Sequence, residues 1–245
     1  MKMRCCSACP LAPLSVVLAV VAVAAIVTAG LGYRAGWWHF LTGLRIAEWA
    51  AYASAAALAC SLVAAWLTRP GVAGRSGFIM ALAGIVFSLP VVLAAVQWEL
   101  AARTYPAIND ISTDLEDPPV FWDMPNPAEH PGQAFAELQR QGYPDLVPLQ
   151  VAVAPQQVFA QALELVRERG WEVVAADDID LRIEATVTSP LYGFTDEIVI
   201  RVSETDDGAR IDMRSRSRLG RIDRGVNAAR IRAFLEELAP RLRAG

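Results

Sequence analysis

The sequence predicts three transmembrane α-helices followed by a soluble α+β domain, in which two helices cover one face of an antiparallel sheet. Three observations lead to this fold class. Three uncharged apolar runs of 19 to 21 residues lie within residues 1–100. Residues 101–148 are acidic and rich in proline, and residues 149–245 show strand and helix periodicities. The sequence therefore predicts a three-helix transmembrane region, a connecting segment and a soluble domain with these boundaries.

Charge is divided unevenly between these regions. Residues 1–100 carry a net charge of +4, whereas residues 101–245 carry a net charge of −8. This division is expected when lipid surrounds the first region and water surrounds the second. Binding to a phosphate backbone depends on excess positive charge, so the acidic domain is not expected to bind nucleic acid.

The apolar runs cover residues 11–31, 49–67 and 78–98. An α-helix rises 1.5 Å per residue, so about 20 residues cross a hydrocarbon core of about 30 Å. The first run follows Lys2 and Arg4, which leaves a cleaved signal peptide as an alternative. Its length and the two runs behind it favour a retained anchor.

Positive charges near the ends of the spans predict the orientation. With the N-terminus inside, the outer face receives Arg34, Arg103 and, near a span end, Arg45, whereas the inner face receives Lys2, Arg4, Arg69 and Arg75. The positive-inside rule thus predicts a cytoplasmic N-terminus and a periplasmic or other extracytoplasmic domain on an inner (plasma) membrane. Arg45 is expected to pair with Glu48, and a buried functional ion pair is the alternative.

All cysteines lie in the membrane region, at Cys5, Cys6, Cys9 and Cys60. The soluble domain is therefore expected to fold without disulfide bonds. Cys5, Cys6 and Cys9 resemble half of a zinc site, but no second cluster of cysteine or histidine completes the four ligands. Thiols without a metal are the favoured interpretation, and the sequence predicts no metal site and no cofactor.

Prolines dominate the connecting segment and exclude long helices and central strands from it. An extended segment lying on a surface is expected, with a short helix only at residues 133–140. Asp110, Asp114, Glu116 and Asp117 could surround a calcium ion. Their spacing does not match the helix-loop-helix calcium pattern, so solvated or helix-capping carboxylates are favoured.

The soluble domain begins with two short strands around one helix. Residues 149–153 are predicted as a strand, Pro155 opens a helix as proline does in a first turn, and Gly170 ends that helix. Residues 171–176 are predicted as the second strand. Asp177 to Asp180 then form a turn.

Three further strands, at residues 181–188, 197–202 and 209–218, alternate with period two. A turn at residues 205–208 joins the last two strands, and a helix over residues 226–243 follows them. The order β-α-β-β-β-β-α occurs in TATA-binding-protein-like and helix-grip folds. In this arrangement two helices cover one sheet face and leave the other face open.

Two stretches together resemble a known family. They are Ile-Asn-Asp-Ile-Ser-Thr-Asp at residues 108–114 with Asp-Pro-Pro at 117–119, and the arginine-rich run at residues 214–235. With them, residues 105–240 resemble the bacterial and plastid family called domain of unknown function 1499. Many members of that family carry three membrane spans ahead of the domain. Asp196 and Glu197 depart mildly from the two aspartates usual there, and the resemblance implies no established activity.

The predicted open face is the candidate site, because charged side chains alternate along its strands. The predicted ligand-binding residues come from these strands and from the loop and helix behind them: Glu184, Arg201, Asp212, Arg214, Arg216, Arg218, Asp223, Asn227 and Arg230. Arginine forks bind carboxylate or phosphate at two points, so a small anionic ligand such as a lipid headgroup would suit them. Two alternatives are a ladder of mutually neutralised charges and a connecting segment that folds back over the arginines.

Catalytic signatures are absent from the sequence. It contains no nucleophile motif, no phosphate-binding loop, no dinucleotide fingerprint and no suitable pair of carboxylates. The sequence predicts a non-enzymatic, membrane-anchored envelope protein whose outward domain binds or scaffolds a membrane-protein partner, a membrane lipid or a small anionic ligand. A subunit or assembly factor of a larger membrane complex is one alternative, and an enzyme that uses the charged face is another.

Overall fold

The computed structural model describes residues 7–71, 75–125, 129–222 and 224–244. The predictions for Lys2, Arg4, Cys5, Cys6 and Asp223 lie outside these residues. The chain forms two compact units. The first comprises Met1–Leu100 with Pro190–Gly193, and the second comprises Ala101–Ser189 with Phe194–Gly245.

Three long helices make up most of the first unit: α1 (Leu11–Arg34), α2 (Phe40–Thr68) and α3 (Phe78–Thr104), whose last four residues belong to the second unit. A short parallel pair, β1 (Ser7–Ala8) and β2 (Arg75–Ser76), accompanies them. All three helices are long and apolar enough to cross a membrane, as the apolar runs predicted. The buried positions are small residues such as Ala19 and Ala57, which let helix backbones approach closely.

One ion pair predicted in this unit is not formed. Glu48 accepts a hydrogen bond from the hydroxyl of Tyr52 at 3.2 Å, and Arg45 has no salt bridge to Glu48. Tyr52 lies one turn beyond Glu48 on the same face of α2, so it competes with Arg45 for the carboxylate.

The second unit contains the remaining elements. They are β3 (Asp110–Ser112), α4 (Gln133–Gly142), β4 (Leu149–Val151), α5 (Pro155–Glu168), β5 (Glu172–Asp177), β6 (Arg182–Thr188), β7 (Thr195–Thr205), β8 (Gly208–Ser217) and α6 (Val226–Ala244). The sheet has the order β3-β8-β7-β6-β5 and is antiparallel throughout. β4 also pairs with β8, so β3 and β4 occupy successive parts of one edge of β8.

The predicted α+β class is confirmed, and the period-two alternation sorts the strands as expected. Ile183, Ile200 and Met213 point into a core shared with α5 and α6, because their side chains lie on one face of the sheet. We call this side the helix face. The predicted turn at residues 205–208 joins β7 to β8, with Thr205 paired to Gly208. Gly208 has a φ of 144°, and an added Cβ would lie 2.2 Å from the carbonyl oxygen of Val151.

The expectation of an open second face is wrong. Residues 110–124 of the proline-rich segment, which we call the cover segment, lie on it. The segment begins as the edge strand β3 and continues to Phe121 and Met124, both buried against Val199 of β7. Residues 110–117 contain no proline, which permits the short strand β3. The prolines Pro118 and Pro119 follow after the chain has left the pairing with β8.

Candidate functional site

The candidate site is the side of the sheet opposite the helix face, which we call the charged face. Strand alternation places on it Arg182, Glu184, Glu197, Arg201, Arg210, Asp212, Arg214 and Arg216. Cross-strand register brings opposite charges together, since Glu197 lies opposite Arg216 and Arg201 lies opposite Asp212. Most of these side chains are buried under the cover segment, and a buried charge needs a partner.

Asp110 and Arg214 form the most enclosed pair. The Asp110 carboxylate accepts from Arg214 Nε at 2.8 Å and from Nη2 at 2.7 Å, a two-point geometry. Arg214 Nη1 also donates to the carbonyl oxygen of Pro119 at 3.1 Å. The side chain of Arg214 is only 1% exposed, because Asp110 and Pro119 of the cover segment both contact it.

Glu197 is the second buried carboxylate of this face. Arg216 donates to one of its oxygens from Nε at 2.6 Å, and Arg218 donates to the other from Nη2 at 2.7 Å. The ring of Phe121 lies over Arg214 and Arg216, with its centroid 4.9 and 4.3 Å from their guanidinium carbons. Phe121 thereby covers two arginines that the sheet places side by side.

Asp114 and Asp212 hold the other end of the face. Arg210 donates to Asp212 at 3.0 Å and to Asp114 at 2.6 Å. Arg201 reaches Asp117 of the cover segment at 2.8 Å. Partial burial alone would raise the pKa of Asp114, but the N–H groups of Asp117 and Glu116, with Arg210 and Arg201, hold it below its usual range.

A buried glutamate fixes the far end of the cover segment. Glu184 is fully buried and accepts from the backbone N–H of Trp122 at 2.6 Å and of Asp123 at 3.1 Å. Arg182 donates both to Glu184 and to the carboxylate of Asp123. These bonds set the backbone direction at Trp122. Phe121 therefore points inward, while the Trp122 side chain projects outward and is 69% exposed.

Two predicted residues belong to a different cluster. Asn227 and Arg230 of α6 lie on the helix face, where the amide oxygen of Asn227 accepts from Ser215 Oγ at 2.7 Å. Arg230 donates to Asp196 at 2.6 Å. The structure therefore brings Glu184, Arg201, Asp212, Arg214, Arg216 and Arg218 to one face and separates Asn227 and Arg230 from them by the thickness of the sheet.

Three of the four acidic residues considered for calcium pair with arginine instead. Asp110, Asp114 and Asp117 each form a salt bridge to β7 or β8, and Asp114 also caps the turn at residues 116–117. Among the described residues, no group of three histidine, cysteine or acidic side chains is arranged to hold a metal ion.

A recess of about 560 Å³ adjoins the cover segment, bordered by Asp114, Tyr143 and Arg210. It is the place where a small ligand could reach the edge of the network. Arg210 already binds Asp114 and Asp212 there, so an anion in the recess would compete with Asp114 for the guanidinium.

Sequence reasoning missed Phe121 and Trp122. The only signal for them is an aromatic pair inside a segment otherwise made of proline and polar residues. Adjacent residues of an extended chain point to opposite sides, so one aromatic of such a pair can be buried while the other faces solvent.

A family model described as "Protein of unknown function (DUF1499)" matches residues 110–238, more than half of the chain. No curated protein matches the chain. The matched range starts at Asp110 and runs into α6, so it contains the cover segment and the whole sheet. Both halves of the charged network thus lie inside the unit that the family model describes.

Proposed function

Because the chain belongs to the DUF1499 family of unknown function, we propose its role from its own surface: it is a membrane-anchored binding module whose domain docks a protein partner through Trp122. The observation that carries this proposal is an indole that is 69% exposed on a backbone fixed by buried Glu184. Tryptophan is the side chain most enriched among residues that dominate protein interfaces.

Rigidity is what makes Trp122 suited to binding. Burying an indole in an interface gives a large apolar contribution, and little conformational entropy is lost if the backbone is already fixed. Glu184, Arg182 and Phe121 provide that fixation from below the segment. Val120, also exposed, lies two residues before Trp122 and adds to the exposed apolar surface of the segment.

The charged face supports a scaffolding role for the cover segment itself. A free anion would have to displace carboxylates of the protein that are already held at hydrogen-bond distance, as at Arg214 and Arg210. The ion pairs of the charged face thus hold the cover segment on the sheet, and the solvent-exposed side of the segment is the surface that would contact a partner. The binding of small anions by Arg214 and Arg216 requires the segment to lift.

We further propose that the domain lies outside the cytoplasm of an envelope membrane. The support is the distribution of arginine and lysine around the three helices, with Arg69 between α2 and α3 on the inner side and Arg34 at the end of α1 on the outer side. An acidic domain without cysteine is compatible with an oxidising compartment.

The experiment compares Trp122→Ala with Ile179→Ala in the full-length protein. Ile179 is 89% exposed on a turn of the same domain, so it is a matched loss of exposed apolar surface. After chemical cross-linking in cells and isolation in mild detergent, proteins captured by the wild type should be lost with Trp122→Ala and kept with Ile179→Ala. Identical captured proteins in all three samples would refute the proposal.

The same experiment separates the alternatives. If a partner is lost when lipid-facing residues of α3 such as Val86 are changed, but not when Trp122 is changed, the chain is a subunit held through its spans. An enzyme that uses the charged face would need the cover segment to move, and removing Phe121 would then raise its activity.

A further inference from the structure

A groove of about 360 Å³ runs along the contact between α1 and α2. Its floor is made of small side chains, Ala22 and Ala25 on α1 and Ala50 and Ala53 on α2. In each helix these residues are three apart, so their methyl groups share one face and leave space where larger side chains would fill the seam. The lining of the groove is almost wholly apolar, apart from Arg45 and Thr42 at one end.

Arg45 is chemically unusual in this position. It is exposed and has no salt bridge among the described residues, because Glu48, the carboxylate one turn away, accepts from Tyr52 instead. An arginine in an apolar helix is costly unless its head reaches the interface or meets an anion. Trp49 lines the groove one turn further along α2, and its indole is also exposed.

Helix length gives the depth of each end of the groove. α2 has 29 residues and is therefore about 43 Å long, which exceeds a hydrocarbon core of about 30 Å by about 6 Å at each end. Arg45 stands five positions after Phe40, about 7 Å along the helix, so its backbone lies at the edge of the hydrocarbon core. From there its long side chain can extend to the level of the lipid phosphates. Ala53 lies a further eight positions, about 12 Å, towards the bilayer centre.

We propose that this groove holds one acyl chain of a phospholipid whose anionic headgroup binds Arg45. The guanidinium offers parallel N–H donors to the phosphate oxygens, and the alanine floor receives the chain below it. The ammonium of a zwitterionic headgroup opposes the guanidinium, so a lipid of net negative charge is preferred over a zwitterionic lipid with the same chains. This inference is independent of the role proposed for Trp122.

Native mass spectrometry of the full-length protein in mild detergent tests it, with phosphatidylglycerol and phosphatidylcholine of identical chains as probes. In the wild type, phosphatidylglycerol occupancy should exceed phosphatidylcholine occupancy at least fivefold. Arg45→Gln should abolish that preference, and Ala53→Phe, which fills the groove, should lower the occupancy of both lipids at least fivefold. Arg69→Gln and Ala55→Phe are the matched controls, since Arg69 stacks on Trp66 and Ala55 is exposed outside the groove.

A second filling variant on the other helix, Ala25→Leu, guards against a packing defect specific to Ala53→Phe. Equal binding of the two lipids by the wild type would overturn the proposal. Unchanged phosphatidylglycerol occupancy in Arg45→Gln or in both filling variants would also overturn it. A dimer mass that disappears in the filling variants would assign the groove to a second copy of the chain and refute the lipid.

Discussion

The carboxylate of Asp110 binds the guanidinium of Arg214 through two hydrogen bonds, although 104 positions separate the two residues in the chain. Asp110 belongs to the first strand after the apolar helices, and Arg214 belongs to the last strand of the sheet. Their pairing fastens the cover segment to the centre of the domain. The proline-rich stretch is thus part of the folded domain rather than a tether.

Asp110→Ala should lower the free energy of unfolding by about 3–5 kcal/mol, because it leaves the buried guanidinium of Arg214 without its carboxylate. The double variant Asp110→Ala with Arg214→Met removes the orphaned charge and should be more stable than Asp110→Ala alone by about 1–3 kcal/mol. Pulse proteolysis in urea, on the full-length protein in detergent, measures both. A loss within about 0.5 kcal/mol for Asp110→Ala would contradict the pairing.

Phe121→Ala should destabilise the cover segment by about 3–5 kcal/mol, since it empties a buried site and uncovers two guanidinium groups. Hydrogen exchange should rise in peptides from residues 110–124, with smaller changes in α5 and α6. Trp122→Ala is the matched control next to it in the chain. Its side chain faces solvent, so the exchange rates should stay close to those of the wild type.

Acid should loosen the segment through Asp114. Its pKa is lowered in the folded protein, so the unfolded state binds more protons as pH falls. The stability it contributes is complete above its unfolded pKa of about 3.9 and is lost as pH falls through the lower folded value. The stability difference between wild type and Asp114→Asn should therefore shrink from pH 5 to pH 3 in urea titrations.

Asp206→Asn in the hairpin turn is the control for that titration, since no arginine partner of Asp206 is present among the described residues. Its stability should run parallel to that of the wild type across the same pH range. A constant difference between wild type and Asp114→Asn would contradict a lowered pKa of Asp114 in the folded protein.

Asn227→Ala should cost about 1–3 kcal/mol, because it leaves buried polar partners without hydrogen bonds. Its amide donates to the carbonyl oxygen of Asn109 at 3.1 Å and to Ser217 Oγ at 3.0 Å, which joins α6 to the start of β3. Urea unfolding of Asn227→Ala and Glu236→Ala compares a buried with an exposed position of the same helix. Equal stabilities would deny Asn227 this role.

Cysteine labelling should report the orientation. In a variant without native cysteines, Ile179→Cys in right-side-out vesicles should react with a membrane-impermeant maleimide before lysis. Ser76→Cys, between α2 and α3, should react only after lysis. The reverse pattern would place the domain in the cytoplasm.

Periodicity is sufficient to predict the spans, strands β4 to β8, helices α4 to α6 and, in β6 to β8, the side of the sheet on which a residue lies. Alternation predicts Ile200 and Met213 in the core and Arg201 and Arg214 on the charged face, because it is a local property of the chain. The cover segment was only one of three alternatives. Asp110 could face solvent, bind calcium or pair with Arg214. The choice depends on a contact between residues 104 positions apart, which local sequence patterns do not predict.

The same limit explains the error over Asn227 and Arg230. Both follow the arginine-rich strand closely in sequence, and the sequence therefore predicts them beside it. The turn before α6 carries the chain to the helix face, and proximity in sequence then ceases to indicate proximity in space. The sequence does not predict the exposure of Trp122, because that exposure depends on the burial of its neighbour Phe121. The burial of Phe121 in turn depends on contacts with distant strands.

The long sequence separation between Asp110 and Arg214 also has a consequence for biosynthesis. A ribosome completes the first strand of the domain about a hundred residues before the strand that receives it. During that interval Phe121 and its neighbouring carboxylates remain hydrated, and the last two strands supply their partners nearly together. Translation that stops before β8 would leave a chain whose aromatic segment stays exposed, which is the kind of site that proteases cleave in unfolded proteins.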